Sequence, residues 1–145
     1  MLFNATHDFY LAYLKDDPVR PHIPAEFRIK KPNQVWVLED DFSGKVDAII
    51  CVAYTNAVPT TEQELADFCD KDGDIAVFYT VWSYTKGAGR DIVFGVASRI
   101  KRTRRISRYV TLSPRTEMAR KFHLGNGAVV LQENSESVNY EYLEV

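Results

Sequence analysis

Between Ile75 and Ser83 the sequence is apolar almost without interruption and shows no polar–apolar alternation. Such a run suits a strand covered on both faces, because a strand with one wet face alternates. A chain that contains it needs a sheet with a layer on each side. The next residues narrow the arrangement. Thr85-Lys86-Gly87-Ala88-Gly89 is a glycine turn, and from Arg90 to about Arg102 the residues Ile92, Val93, Val96, Ala97 and Ile100 recur at helical spacing. A buried strand, a tight turn and an amphipathic helix in succession form the centre of an α/β layer protein.

The flanking segments agree with that centre. Leu2 to Ala5 reads as a short strand, and Thr6 is placed to cap a helix from His7 to Lys15. Pro18, Pro21 and Pro24 end that helix in a loop, with a further short helix from Ala25 to Ile29. Gln34–Glu39 and Val46–Tyr54 are rich in β-branched and aromatic residues, with Asp41-Phe42-Ser43-Gly44-Lys45 between them as a hairpin turn. Thr61-Glu62-Gln63-Glu64 is a capping box opening a helix to about Cys69. Ile106 to Leu112 reads as a strand. Ser113 as N-cap and Pro114 at the first helical position then predict a helix that stops at Gly125. Ala128–Glu133 and Ser137–Glu144 close the chain as two strands. The 145 residues suit one domain spanning the whole chain, with enough core to fold without staples.

Composition excludes several function classes. A net charge of −2 provides no global field toward nucleic acid or an anionic membrane. No stretch approaches the ~18 apolar residues of a membrane span, and the start of the chain does not read as a leader. Cys51 and Cys69 belong to no metal-binding or disulfide pattern, so the expectation is a reduced, cytoplasmic protein without a metal. Asp70-Lys71-Asp72-Gly73-Asp74 looks like the start of a calcium loop but lacks the downstream acidic ligand.

The chemistry centres on Lys86-Gly87-Ala88-Gly89-Arg90. Two glycines let the backbone turn sharply and approach a ligand. The first turn of the following helix offers unpaired N–H groups and a positive dipole end. Together these can hold a pyrophosphate, with Lys86 or Arg90 as counter-charge. The plain alternative is a strand–helix turn with no ligand. No GxxxxGK[ST] loop is present, and Ile92 stands where a dinucleotide fingerprint has its third glycine.

From Ala76 to Glu144 these elements resemble the acetyl-CoA-binding half of the GNAT superfamily. Gly87-Ala88-Gly89-Arg90-Asp91-Ile92 matches its GxGRxL run, at the end of a Q/R-x-x-G-x-G/A loop whose first position is Tyr84 here. Ala119, Phe122 and Gly127 fall on the family pattern N-x-x-A-x-x-Φ-Y-x-x-x-G-F, with Thr116, His123 and Ala128 at its asparagine, tyrosine and final phenylalanine. The N-terminal half fits in outline. The resemblance implies a mixed, mostly antiparallel sheet of six to seven strands, splayed between strands 4 and 5, with helices on both faces. It implies acetyl-CoA as co-substrate, held by Tyr79, Val81, Tyr84, Thr85, Lys86, Gly87, Ala88, Gly89, Arg90 and Thr116. It also implies N-acetyl transfer to a primary amine of a small molecule or protein, and a homodimer is compatible with it.

In that reaction an amine attacks the thioester, an N–H donor meets the oxyanion, and the departing thiolate takes a proton. The resemblance assigns the donor to the main chain near Tyr79 to Val81 and puts His123 beside the thiolate, where a partly protonated ring can act as acid. The plain reading of His123 is a helix-end cation. Tyr79 and Glu39 are candidates for the base. His22 lies in the proline loop where this family builds its acceptor wall. Trp82 and Tyr84 suit either ligand stacking or the core. The replacements at Thr116, His123 and Ala128 favour the alternative of a catalytically idle CoA-binding or protein-interaction module. The basic cluster Lys101-Arg102-Thr103-Arg104-Arg105 with Arg108 suits an acidic partner, RNA, or a solvated helix end. At ~1.5 Å per residue it lies about 20 Å from Gly89, too far for the CoA phosphates.

Overall fold

Why the apolar run at Ile75 has no wet face is plain from its neighbours. In a computed structural model, which describes residues 1–6 and 8–145, it is the central strand of a mixed sheet. The elements are β1 (Leu2–Asn4), α1 (Asp8–Leu11) running into a 3-10 turn (Ala12–Asp16), α2 (Ala25–Ile29), β2 (Gln34–Glu39), β3 (Val46–Thr55), α3 (Glu62–Asp67) and β4 (Ile75–Ser83). Then come α4 (Ala88–Thr103), β5 (Arg108–Thr111), β6 (Ser113–Pro114), α5 (Glu117–Gly125), β7 (Val129–Glu133) and β8 (Ser137–Tyr142). Among the described residues the strand order is β1-β2-β3-β4-β5-β8-β6, with β7 paired to β8. Only β4 and β5 run parallel; every other pairing is antiparallel. That gives eight strands where six to seven were expected, because the two residues of β6 join the sheet.

Alternation along β2 and β3 builds two cores. Trp36, Ala48, Ile50, Val52 and Tyr54 face the stripe of α4 formed by Ile92, Val93, Val96, Ala97 and Ile100. Val35, Val37, Ile49, Cys51 and Ala53 face the other layer, from α1 to α3, where Leu14, Phe27 and Leu65 pack. Helices therefore cover both faces, as expected.

Some local expectations fail for physical reasons. Ser113 and Pro114 do not start a helix: they pair with Val138 and Ser137 of β8. The cap of α5 is Thr116, whose Oγ1 accepts from the Ala119 N–H at 3.2 Å. Pairing with β8 draws Ser113 and Pro114 into the sheet, which leaves the start of α5 to Thr116. The first helix tightens to 3-10 geometry at Ala12 and runs on to Asp16, while its proposed start, His7, lies outside the described residues. The α3 cap is half as expected. Thr61 Oγ1 accepts from Glu64 N–H, but the Glu64 carboxylate turns to the N–H and hydroxyl of Thr60 rather than to Thr61.

Two irregularities at β4 prepare the site. The register with β3 slips between Cys51, which pairs with Thr80, and Val52, which pairs with Phe78. Tyr79 is thus the extra residue of a β-bulge, which leaves it without a cross-strand partner and bends the strand. The bulge also resets the alternation. Phe78 faces α4, Tyr79 faces the second core, and Val81 then returns to the α4 side. On its other edge β4 pairs with β5 only from Ile75 to Phe78. Beyond Phe78 the two strands part, and from Tyr79 onward β4 has no strand on this edge, while β3 stays paired to its other edge as far as Ser83.

Candidate functional site

The splay opens a cavity of about 330 Å³. Its walls are Phe78 to Ser83 of β4, Gly89 at the start of α4, Ser113, Pro114 and Thr116, Met118, Ala119, Phe122 and His123 on α5, and Pro18 to Arg20 of the proline loop. Of the residues expected to hold a ligand, the structure gathers Tyr79, Val81, Gly89, Thr116 and His123 around this space. Tyr84, Thr85, Lys86, Gly87, Ala88 and Arg90 form the adjoining turn and do not line it.

That turn has the geometry the two glycines implied. Gly87 takes φ +85° as the N-cap of α4, a left-handed conformation in which an L side chain is strained. The helix accordingly begins at Ala88 rather than Arg90. No atom lies within 4 Å of where a Gly87 Cβ would be, so the turn faces open space. Gly89 is different: a Cβ there would sit 3.1 Å from the Phe122 ring, so its missing side chain lets α5 approach α4. Thr85 and Tyr84 anchor the turn to Asp47, through Thr85 Oγ1 to the carboxylate at 2.9 Å and Tyr84 N–H to the carbonyl at 2.8 Å. The Arg90 guanidinium folds over the Phe94 ring at 4.8 Å and reaches Asn126 at 3.4 Å. Lys86 is exposed on the turn itself.

Tyr84 is half-exposed, and its ring meets Tyr13 edge-on at 5.8 Å. Its hydroxyl accepts from the Trp82 indole at 3.0 Å and donates to Asp16 at 2.8 Å, which ties the end of β4 to the 3-10 turn. Burial raises its pKa to about 12. This pair is structural. Glu39, a candidate base, accepts from the Tyr10 hydroxyl at 2.6 Å outside the cavity. His22 is exposed and paired with Glu62 at 2.6 Å.

His123 lies on the cavity wall and is buried. Its ring stacks on Tyr140 at 5.1 Å, and Nδ1 is 2.8 Å from the Tyr142 hydroxyl. The same hydroxyl accepts from Asn126 Nδ2 at 3.4 Å. In the tautomer that lets the hydroxyl, which accepts from Asn126, donate its own proton to Nδ1, the ring proton sits on Nε2. Burial lowers the pKa of His123 to about 4. The ring is therefore neutral near pH 7, which corrects the expectation of partial protonation. What it offers a ligand is a neutral N–H donor.

Tyr79 also departs from expectation. Its ring packs edge-on against Phe27 in the second core, and burial raises its pKa well above the ordinary value. What it contributes beyond its ring is main chain. The carbonyl freed by the bulge accepts from Arg20 Nη1 at 2.7 Å. Sequence reasoning missed Arg20 and Ser113. Arg20 is buried at the cavity wall, with its Nε 3.3 Å from Glu62. Burial lowers its pKa, and the nearby Glu62 and Asp17 carboxylates oppose that. Ser113 is also buried on the wall, with Oγ donating to Thr111 Oγ1 at 2.8 Å. No local sequence signal marks Arg20. For Ser113 the signal was present but reads equally as a helix cap.

The basic cluster divides into structural and exposed parts. Arg108 grips Glu141 with two bonds of 2.8 Å, and Arg104 lies 3.7 Å over the Tyr54 ring. Arg102 and Arg105 are exposed. Among the described residues no group of His, Cys, Asp and Glu is arranged to hold a metal ion, and no helix is long and apolar enough to cross a membrane.

Neither a family model nor a curated protein matches the sequence. Solved structures do match the fold. A GNAT-like decarboxylase, GphF, in complex with isobutyryl-CoA superposes with a TM-score of 0.76 at 14% identity, over 98% of both chains. Malonyl-CoA decarboxylase from Cupriavidus metallidurans gives 0.67 at 15% identity, over 98% of this chain and 60% of that one. An acetyltransferase from Bacillus subtilis in complex with CoA gives 0.65 at 10% identity, over 100% of this chain and 97% of that one. This chain has the GNAT fold, with its parallel β4–β5 pair and the splay below it. The proteins that share it include acyl-CoA enzymes of two kinds, acetyltransferases and decarboxylases. This chain spans about three-fifths of the length of the malonyl-CoA decarboxylase.

Proposed function

We propose that this protein binds an acyl-CoA thioester in the β4–β5 splay and decarboxylates a β-carboxyacyl group of the malonyl type. The pyrophosphate rests on the Gly87–Arg90 turn beside Lys86, and the acyl end enters the cavity. The observation that carries the choice of reaction is the acid–base content of the wall. Among the described residues it holds no aspartate or glutamate, and its ionisable side chains are Arg20, Tyr79 and His123. An amine acceptor arrives as an ammonium of pKa about 10 and needs a base. His123, titrating at about 4, is too weak a base. Tyr79 is a buried, protonated phenol facing the other core.

Decarboxylation needs no base at the outset. The bond between the α-carbon and the free carboxylate breaks, CO₂ leaves, and the electron pair spreads over the α-carbon and the thioester oxygen. A proton then adds at the α-carbon and gives the shortened acyl-CoA. The step needs neutral donors where charge grows on the thioester oxygen. His123 Nε2–H and the main chain of β4 on its splayed edge, near Thr80 and Val81, suit that role. The apolar walls, Phe78, Val81 and Phe122 among them, disfavour a hydrated carboxylate relative to neutral CO₂. The likeness to GphF across the full length of both chains supports the same reading.

N-acetylation of a small-molecule or protein amine by acetyl-CoA is the second reading. It is favoured by the glycine turn, which serves either chemistry, and by the likeness to the CoA-bound acetyltransferase. The test offers the protein malonyl-CoA and methylmalonyl-CoA, with release of CO₂ followed, and separately acetyl-CoA with a panel of amines, with release of free thiol followed. CO₂ without thiol is expected. Amine-dependent thiol release without CO₂ overturns decarboxylation in favour of acetyl transfer, and CoA binding with neither product favours an idle binding module.

A further inference from the structure

A chain of buried polar contacts runs from the second core to the cavity. Arg28 and Asp17 are fully buried and meet at 2.9 Å. Asp17 Oδ1 accepts from the N–H groups of Val19 and Arg20, each at 2.9 Å. Arg28 donates to the carbonyls of Arg20 at 2.6 Å and Ile23 at 3.1 Å. The proline loop is thus held by its own main chain at both ends of Arg20. The Arg20 side chain then crosses to β4, with Nη1 2.7 Å from the Tyr79 carbonyl and Nε beside Glu62. This contact falls on the residue that the bulge deprived of a cross-strand partner. A buried carbonyl left unpaired is costly, so the bulge needs a donor from outside the sheet. Arg20 is that donor.

We infer that Arg20 is a positioning residue for the reacting thioester: by holding the Tyr79 carbonyl it fixes the β4 main chain against which the acyl group is polarised. A peptide unit is planar, so a C=O fixed in direction also fixes the N–H on the far side of the same plane, here that of Thr80. Asp17 and Arg28 in turn fix Arg20. The inference rests on the acyl-CoA reading of the splay but not on which reaction follows. A main chain set in advance needs no reorganisation when charge appears on the thioester oxygen. A guanidinium suits the task because its rigid fork can serve the Tyr79 carbonyl and Glu62 together, which an ammonium on a flexible stem does less well.

The test binds acetyl-CoA labelled with carbon-13 at the carbonyl to the whole protein and to Arg20→Met. The carbonyl resonance, the affinity for unacylated CoA and the thermal midpoint are measured for each. Wild type should move the resonance downfield of free acetyl-CoA. Arg20→Met should lose at least half of that displacement and keep its CoA affinity within threefold, because the pyrophosphate turn lies elsewhere. An unchanged displacement in Arg20→Met overturns the inference, as does a parallel loss of CoA affinity, which would make Arg20 a merely structural residue. A wild type that binds without any displacement also overturns it while leaving the binding site intact. A wild type that fails to bind CoA removes the functional reading and this inference together. If Arg20→Met does not fold, Arg20→Lys carries the same measurement, with a partial loss expected and full wild-type displacement contradicting the role.

Discussion

His123 Nδ1 sits 2.8 Å from the Tyr142 hydroxyl, so one of the two nitrogens of this cavity-wall ring is already engaged by the protein. With the ring buried and its pKa lowered to about 4, the pair presents a neutral donor rather than a proton source. Activity should therefore show no inflection from His123 between about pH 6 and 8. His123→Phe should lower turnover by roughly 10²-fold and leave CoA affinity nearly intact. A wild-type rate in His123→Phe, with chemistry shown to be the slow step, would make the histidine a packing residue.

The same burial makes stability depend on pH. His123 titrates at about 4 in the folded protein, while an unfolded histidine titrates near ~6.5. Between those values the unfolded chain binds more protons, so stability rises with pH and is lost as pH falls from about 6.5 toward 4. The contribution is at most about 3 kcal/mol. Denaturant unfolding at pH 7.5 and pH 5 should show a decline that His123→Phe reduces. Equal declines in both proteins would contradict the assignment.

The two glycines of the turn should respond differently. Gly87→Ala forces an L side chain to φ +85° in open space, and should cost about 1–2 kcal/mol from strain alone. Gly89→Asp adds a carboxylate where the pyrophosphate belongs and a Cβ 3.1 Å from Phe122. It should abolish CoA binding measured by calorimetry. A folded Gly89→Asp with wild-type affinity would place the phosphates elsewhere.

Arg28 and Asp17 have no solvent to fall back on. Arg28→Met leaves the buried Asp17 carboxylate without the cation bonded to it, and should destabilise by roughly 3–5 kcal/mol. Replacing both partners with apolar residues should recover part of that loss. If the double variant loses as much as the two single variants added together, the pair is not coupled as its geometry requires.

Arg102 and Arg105 are exposed at the far end of α4, so changing both to glutamine should leave CoA affinity unchanged. A tenfold loss would contradict that placement. Arg104 lies over Tyr54 at 3.7 Å. Arg104→Gln should cost about 0.5–1 kcal/mol of stability with no change in CoA affinity.

What the sequence by itself determined was the layered α/β order and the strand–turn–helix unit. The unbroken apolar run at Ile75, the two glycines and the stripe on α4 are local signals of covered strand, tight turn and packed helix. Thr116 and His123 were also legible as members of one helix. Only the tertiary structure decided what those residues can do. The bulge at Tyr79 depends on the register of β4 against Cys51 and Val52, and register is a property of two strands, not one. It turned the Tyr79 ring away from the cavity and brought its carbonyl to Arg20. Ser113 became a strand residue because β8, distant in sequence, offered it a partner. Nothing near His123 in the chain foretells its neutral state, which comes from burial and from Tyr140 and Tyr142 packed against it. Local spacing marked most of the elements, with Ser113 and Pro114 the exception. Burial, charge and hydrogen-bond partners come from segments far along the chain, and these set the chemistry of the site.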